Sequence, residues 1–87
     1  MNRQEKKELG AKCRAERRKN ALRIRGVLYA DGLTLEMFAE QEGLTSQSVS
    51  NTLQGLNNSA TVLDALIRHK VPAKYLADPR TVKGYAK

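Results

Sequence analysis

Aromatic residues make up only 5% of this 87-residue chain: Tyr29, Phe38, Tyr75 and Tyr85. Rings so widely scattered form no platform for stacked bases, which argues against recognition of single-stranded RNA. The single cysteine, Cys13, excludes an intramolecular disulfide. It stands among charges with no histidine nearby, and reads as a small residue on a polar helix in a reducing compartment. The one histidine, His69, lies between Arg68 and Lys70 at an expected helix C-terminus, where a cation is favoured. Glu36, Glu40 and Glu42 keep no ligand spacing with any His or Cys, and there is no glycine-rich phosphate loop. These absences argue against an enzyme, a metal site or a cofactor. No apolar run approaches the length of a membrane span, and the charged N-terminus has no signal-peptide core behind it. A soluble, cytoplasmic chain is expected, with one domain too small for an enclosed multi-layer active site.

What the chain has in excess is positive charge, and it is unevenly placed. The formal net charge is +7. Residues 1–25 hold ten basic groups (Arg3, Lys6, Lys7, Lys12, Arg14, Arg17, Arg18, Lys19, Arg23 and Arg25) against Glu5, Glu8 and Glu16. Residues 26–87 hold six basic and six acidic groups, so the whole excess lies in the N-terminal quarter. Charge runs are commonly solvated faces and no more. A segregated basic arm beside a neutral body is also a recurrent footprint of polyanion binding.

Apolar spacing predicts a series of helices. Residues 1–19 have helix-favouring composition but little apolar face beyond Leu9 and Cys13, and read as a frayed helix or an arm that orders on a partner. Asn20 is placed to cap a helix in which Ala21, Ile24, Val27 and Leu28 recur at helical spacing, stopped by Asp31-Gly32. Thr34 is placed to cap the next, with Leu35, Phe38 and Ala39 inward. Gly43 breaks it, Thr45 or Ser46 caps a third, and Val49 and Leu53 face the core. Gly55 suits a left-handed cap, with Leu56 available for the accompanying apolar contact. After the loop Asn57-Asn58-Ser59, a fourth helix carries Val62, Leu63, Leu66 and Ile67. Pro72 begins a last turn in which Tyr75 and Leu76 pack back. The expectation is an all-α, compact bundle of four to five short helices: a basic arm or helix extension over 1–19, a globular body over 20–77 and a flexible polar tail over 78–87.

Within that body, two helices joined by a short turn need a small residue where they cross and one tolerant of positive φ at the turn. Ala39 and Gly43 meet those needs, Leu44 plugs the angle, and Val49 and Leu53 anchor the second helix. The spacing F-A-x3-G-L-x4-V-x3-L resembles the helix-turn-helix of phage and bacterial repressors of the lambda-repressor-like kind. With the core positions set aside, Thr45, Ser46, Gln47, Ser50, Asn51 and Gln54 face outward. Gln and Asn can pair bidentately with adenine, and Ser or Thr can meet a base or a phosphate. These six are the candidate base contacts. Arg17, Arg18, Lys19, Arg23, Arg25 and Thr34 are the candidate phosphate contacts.

The whole chain is similar to small early regulators of temperate phages, the Ner- or Cro-like repressors and the Apl-type excisionase–repressors. The likeness rests on size, the basic residues before the body, the run GLTLEMFAEQEGLTSQSVSNTL and the ending NNSATVLDALIRHKVPAKYL. It implies repression at a double-stranded operator and, for the Apl type, help in prophage excision beside a phage integrase. Two positions depart from the pattern: Leu35 replaces a polar residue, and Glu42 replaces an apolar one, which predicts a more exposed helix end. The tail ADPRTVKGYAK offers only Val82 and Tyr85 of any bulk, too little for a stable two-fold interface. A monomer that loads cooperatively beside copies of itself on direct repeats is therefore expected. The rival reading from another class is a protein-interaction module, such as an antitoxin-like or antirepressor domain.

Overall fold

The computed structural model describes residues 2–81 and is all-helical. Six α-helices run in the order α1 (Arg3–Lys19), α2 (Ala21–Ala30), α3 (Leu35–Gln41), α4 (Ser46–Leu53), α5 (Ala60–Arg68) and α6 (Ala73–Leu76), followed by a 3-10 turn at Pro79–Thr81. The five helices α2 to α6 meet the expected bundle, and the basic segment before them is a continuous 17-residue helix.

Side-chain caps set four of the helix starts. Asn2, Thr34, Thr45 and Ser59 each accept a hydrogen bond from the backbone N–H three residues on. Asn20 departs from expectation. Its amide nitrogen donates to the Glu16 carbonyl, 3.2 Å away, so it closes α1 and gives α2 no side-chain cap.

The ends share one device. After α2, α3, α4 and α5, the residue that follows the C-cap turns left-handed and an apolar residue comes next: Gly32-Leu33, Gly43-Leu44, Gly55-Leu56 and Lys70-Val71. In each, the apolar residue's N–H returns to a carbonyl five residues back, as Leu44 does to Ala39 at 2.8 Å and Leu56 to Asn51 at 2.9 Å. Lys70 holds this conformation without being glycine, at φ 62°.

Ile24, Leu28, Phe38, Ala39, Val49, Leu53, Val62, Leu63, Leu66 and Leu76 form one buried core, with Leu35, Leu44 and Tyr75 partly buried against it. Two apolar expectations fail. Ile67 is 48% exposed and Ala65 takes its place inside, while Leu56 is 67% exposed. Helix α5 buries a stripe of Val62, Leu63, Ala65 and Leu66, and Ile67 lies one residue beyond its edge.

Helix α1 is not a detached arm. Gly10, Cys13 and Arg17 recur at i, i+3 and i+7 and are buried against the rest of the bundle. A Cβ on Gly55 would stand 2.5 Å from the Arg14 carbonyl oxygen, so the backbones of α1 and the α4 terminus meet at a distance only glycine permits. The Asn58 side chain donates to the Gly10 carbonyl at 3.4 Å, and burial pushes the Cys13 thiol pKa up. Nor is Asp78-Pro79 the start of a loose tail, since both residues are buried. Residues 82–87, with Val82 and Tyr85, lie outside the described residues.

Candidate nucleic-acid interface

Helices α3 and α4 pack against each other around Ala39, which is 2% exposed, and the turn at Gly43 (φ 69°) joins them. The Thr45 hydroxyl, not that of Ser46, caps α4 by accepting from Ser48 N–H at 3.1 Å. Val49, Thr52 and Leu53 bury one side of α4. Its other side carries Thr45, Ser46, Gln47 and Gln54 exposed, with Ser50 and Asn51 half-buried. No charged residue lies anywhere in 44–57. Ser46, Gln47, Ser50, Asn51 and Gln54 therefore share one uncharged face, and Thr45 stands at the N-terminal end of the helix as its cap.

That face is internally ordered. Gln47 Nε2 donates to Asn51 Oδ1 at 2.7 Å, and Gln54 Nε2 donates to Ser50 Oγ at 3.2 Å. The first bond leaves Gln47 with an amide acceptor and Asn51 with its NH₂ donors, a donor–acceptor set that an adenine edge complements. Pairing the two side chains also reduces the rotamer freedom that binding would have to remove.

The cations divide. Arg18 and Lys19 line an open groove of about 550 Å³ with Ala11, Arg14, Ala15, Gln54, Gly55 and Leu56, so α1 brings positive charge to the C-terminal end of α4. Arg14 is absent from the phosphate contacts expected from sequence. Its place is visible only once Gly55 is seen to lie on the α1 backbone. Thr34 is exposed at the start of α3, its Oγ1 accepting from Met37 N–H at 3.1 Å, and its hydroxyl hydrogen remains free to meet a phosphate. Arg23 faces a different groove with Glu16, Asn20, Lys74 and Tyr75. Its guanidinium donates to Asn20 Oδ1 at 3.1 Å and lies 6.0 Å from the Tyr75 ring centre. Arg25 is half-buried, with a buried Nε that has no hydrogen-bond partner among the described residues, and lines neither groove.

Arg17 is the clear correction. It is 0% exposed and cannot meet a phosphate. Its Nε donates to the Leu76 carbonyl at 2.7 Å. Nη1 donates to the carbonyls of Thr52 (3.1 Å) and Asn57 (2.9 Å), and Nη2 to Asn58 Oδ1 (2.6 Å) and the Ala77 carbonyl (3.4 Å). Burial depresses its pKa from the ordinary guanidinium value, opposed by the nearby Asp78 charge. One side chain thus ties α1 to the end of α4, the following loop and the end of α6.

Two acids also have structural partners. Glu42 does not leave its helix end exposed. Its carboxylate accepts from Arg68 and lies 3.3 Å from His69 Nε2, clasping α3 to α5. The hydrogen bond from Arg68 holds the Glu42 pKa below the usual carboxylate value, against a smaller opposing effect of burial. His69 also packs edge-on to Phe38, ring centres 4.9 Å apart. Asp78 meets Arg80 at 2.7 Å, and Arg80 reaches Asp64 at 2.8 Å. Among the described residues, no group of His, Cys, Asp and Glu is arranged to hold a metal ion, and no helix is long and apolar enough to cross a membrane.

Compared with protein-family models, curated proteins and solved structures, the chain matches none. The functional reading therefore rests on the geometry of α3, α4 and α1.

Proposed function

We propose that this chain is a sequence-specific double-stranded DNA-binding protein that inserts α4 into the major groove and acts as a transcriptional repressor of the temperate-phage type in the bacterial cytoplasm. The observation that carries the reading is the uncharged, hydrogen-bond-rich face of α4 lying beside the cations at its C-terminal end. Amides and hydroxyls at Gln47, Asn51, Ser46, Ser50 and Gln54 read base edges, while Arg18, Lys19 and Thr34 hold phosphates. A helix serving only solubility would more often carry Glu and Lys on that face.

Copies of the protein load side by side on direct repeats about one helical turn apart. Such loading needs only a small contact between copies, which Leu22 and Tyr29 offer, 81% and 63% exposed and two turns apart on one face of α2. An array of this kind bends DNA, which serves repression across a promoter and also the assembly of an excision complex with a phage integrase.

Selection of bound duplexes from a random pool tests the reading, followed by titration of Gln47→Ala and Asn51→Ala on the selected site. Each substitution is expected to cost ~1–3 kcal/mol and to relax the preferred base at its own position. If no motif emerges, or both variants bind with unchanged affinity and preference, α4 is not a recognition helix.

A further inference from the structure

Helix α1 is strongly basic, but its charges are not spread evenly round it. At 100° per residue, Arg3, Lys7, Arg14 and Arg18 fall on one flank, at i, i+4, i+11 and i+15, with Ala11 filling the gap. The three acids of the helix, Glu5, Glu8 and Glu16, all fall outside that flank. All four cations are exposed or half-buried, and no carboxylate is paired with any of them among the described residues. The flank is also oriented by the fold. Ala11, Arg14 and Arg18 from its inner half face Gln54, Gly55 and Leu56 across the groove. Gly55 pressed on the Arg14 carbonyl, together with the buried Arg17 guanidinium, fixes α1 against the end of α4.

We propose that this flank is a rigid phosphate rail, which follows one strand of the duplex outward from the C-terminal end of the recognition helix. The proposal rests on the reading of α4 as that helix. From Arg3 to Arg18 the helix rises about 22 Å, long enough for its four cations to meet several successive phosphates of one strand. The rail reads no sequence. It extends the footprint beyond the bases that α4 touches, to one side only, and so gives the bound monomer a direction on the DNA. A flexible arm of equal charge would pay ordering entropy on binding; a helix already docked through Arg17 and Gly55 does not.

The test uses the full chain on its selected duplex. In one variant Arg3→Gln, Lys7→Gln, Arg14→Gln and Arg18→Gln are combined, and in another Arg14→Lys and Arg18→Lys are combined. Lys12→Gln, on the opposite side of α1, is the control. Circular dichroism and thermal unfolding check that each variant folds. Removing one cation from a phosphate flattens the log K against log salt slope by about 0.9, so the fourfold variant is expected to flatten it by about 3 to 4. The lysine variant and Lys12→Gln are expected to leave the slope close to that of the parent. Phosphate ethylation of the parent complex is expected to interfere at a run of phosphates beyond one end of the selected motif, and the fourfold variant to lose that run while selecting the same motif. A fourfold variant with the parent's slope and ethylation pattern would overturn the rail and leave the α4 reading standing. A flattening of about 0.9 by Lys12→Gln, as much per charge as in the fourfold variant, would also overturn it, as diffuse charge. A parent that selects no motif would overturn both.

Discussion

Replacing Arg17 by methionine keeps the length of the stem and removes the guanidinium. The structure then loses five hydrogen bonds that join α1 to residues 35 to 60 positions away. Not every acceptor is orphaned. The Thr52 carbonyl still receives the Gly55 N–H at 3.2 Å, whereas the Leu76, Asn57 and Ala77 carbonyls and Asn58 Oδ1 lose the donor they have here. Only the Leu76 bond is fully buried and water reaches the other three, so together they cost about as much as two buried acceptors left wanting, roughly 1–3 kcal/mol each. Relief of the buried charge, whose own desolvation depresses the Arg17 pKa, returns part of that. A net loss of about 3 kcal/mol follows, a large share of the ~5–15 kcal/mol that holds a domain together. For a chain of this size it corresponds to a fall of roughly 12–24 °C in the unfolding midpoint. Urea and thermal unfolding followed by circular dichroism measure it. Arg17→Lys should fall between the parent and Arg17→Met, because one ammonium cannot span acceptors set around a planar fork. A loss below about 1 kcal/mol, or a flattened DNA salt slope with stability intact, would refute the structural role and return Arg17 to the phosphate contacts.

Gly43 and Gly55 are both left-handed, at φ 69° and 79°, but only Gly55 has backbone where a Cβ would go. Gly43→Ala should cost about 1–2 kcal/mol for conformation alone, and Gly55→Ala clearly more; equal costs in chemical denaturation would contradict the close contact with α1. The hydrogen bonds and charge of Arg80 outweigh the burial of Asp78, which alone would raise its pKa, and hold it below the usual value. Its contribution is then present above the unfolded carboxylate pKa near ~3.9 and is lost as pH falls below that through the folded value. Asp78→Asn should therefore lower stability at pH 7 and flatten its fall between about pH 5 and 2; an unchanged acid profile would count against the Asp78–Arg80 pair. On DNA, moving one of two direct repeats by half a helical turn should abolish cooperativity in quantitative footprinting, because the neighbour then faces the other side of the duplex. A stable dimer in sedimentation at micromolar concentration, bound to an inverted repeat, would sink the array.

Local rules were enough to read most of the helices and the face of α4. Thr34, Thr45 and Ser59 cap because a short side-chain oxygen reaches an N–H three residues away. Gly43 and Gly55 end helices because glycine turns left-handed without strain. Val49 and Leu53 point inward because helical period fixes their face relative to Gln47 and Asn51. These are properties of neighbouring residues, and a sequence displays neighbours directly. Arg17 could not be read in that way. Within a run of cations, a guanidinium bound for water looks the same as one bound for the carbonyls of Leu76 and Asn57. The only local trace was the spacing of Gly10, Cys13 and Arg17, the one stripe of α1 that the structure buries. The burial of Asp78 and Pro79, the clasp of Glu42 on Arg68 and His69, and the choice of Ala65 over Ile67 depend likewise on partners distant in sequence. So does the direction of the basic flank. Helical period places Arg3, Lys7, Arg14 and Arg18 together, but only the contact of Gly55 with α1 brings Arg14 and Arg18 to the C-terminal end of α4.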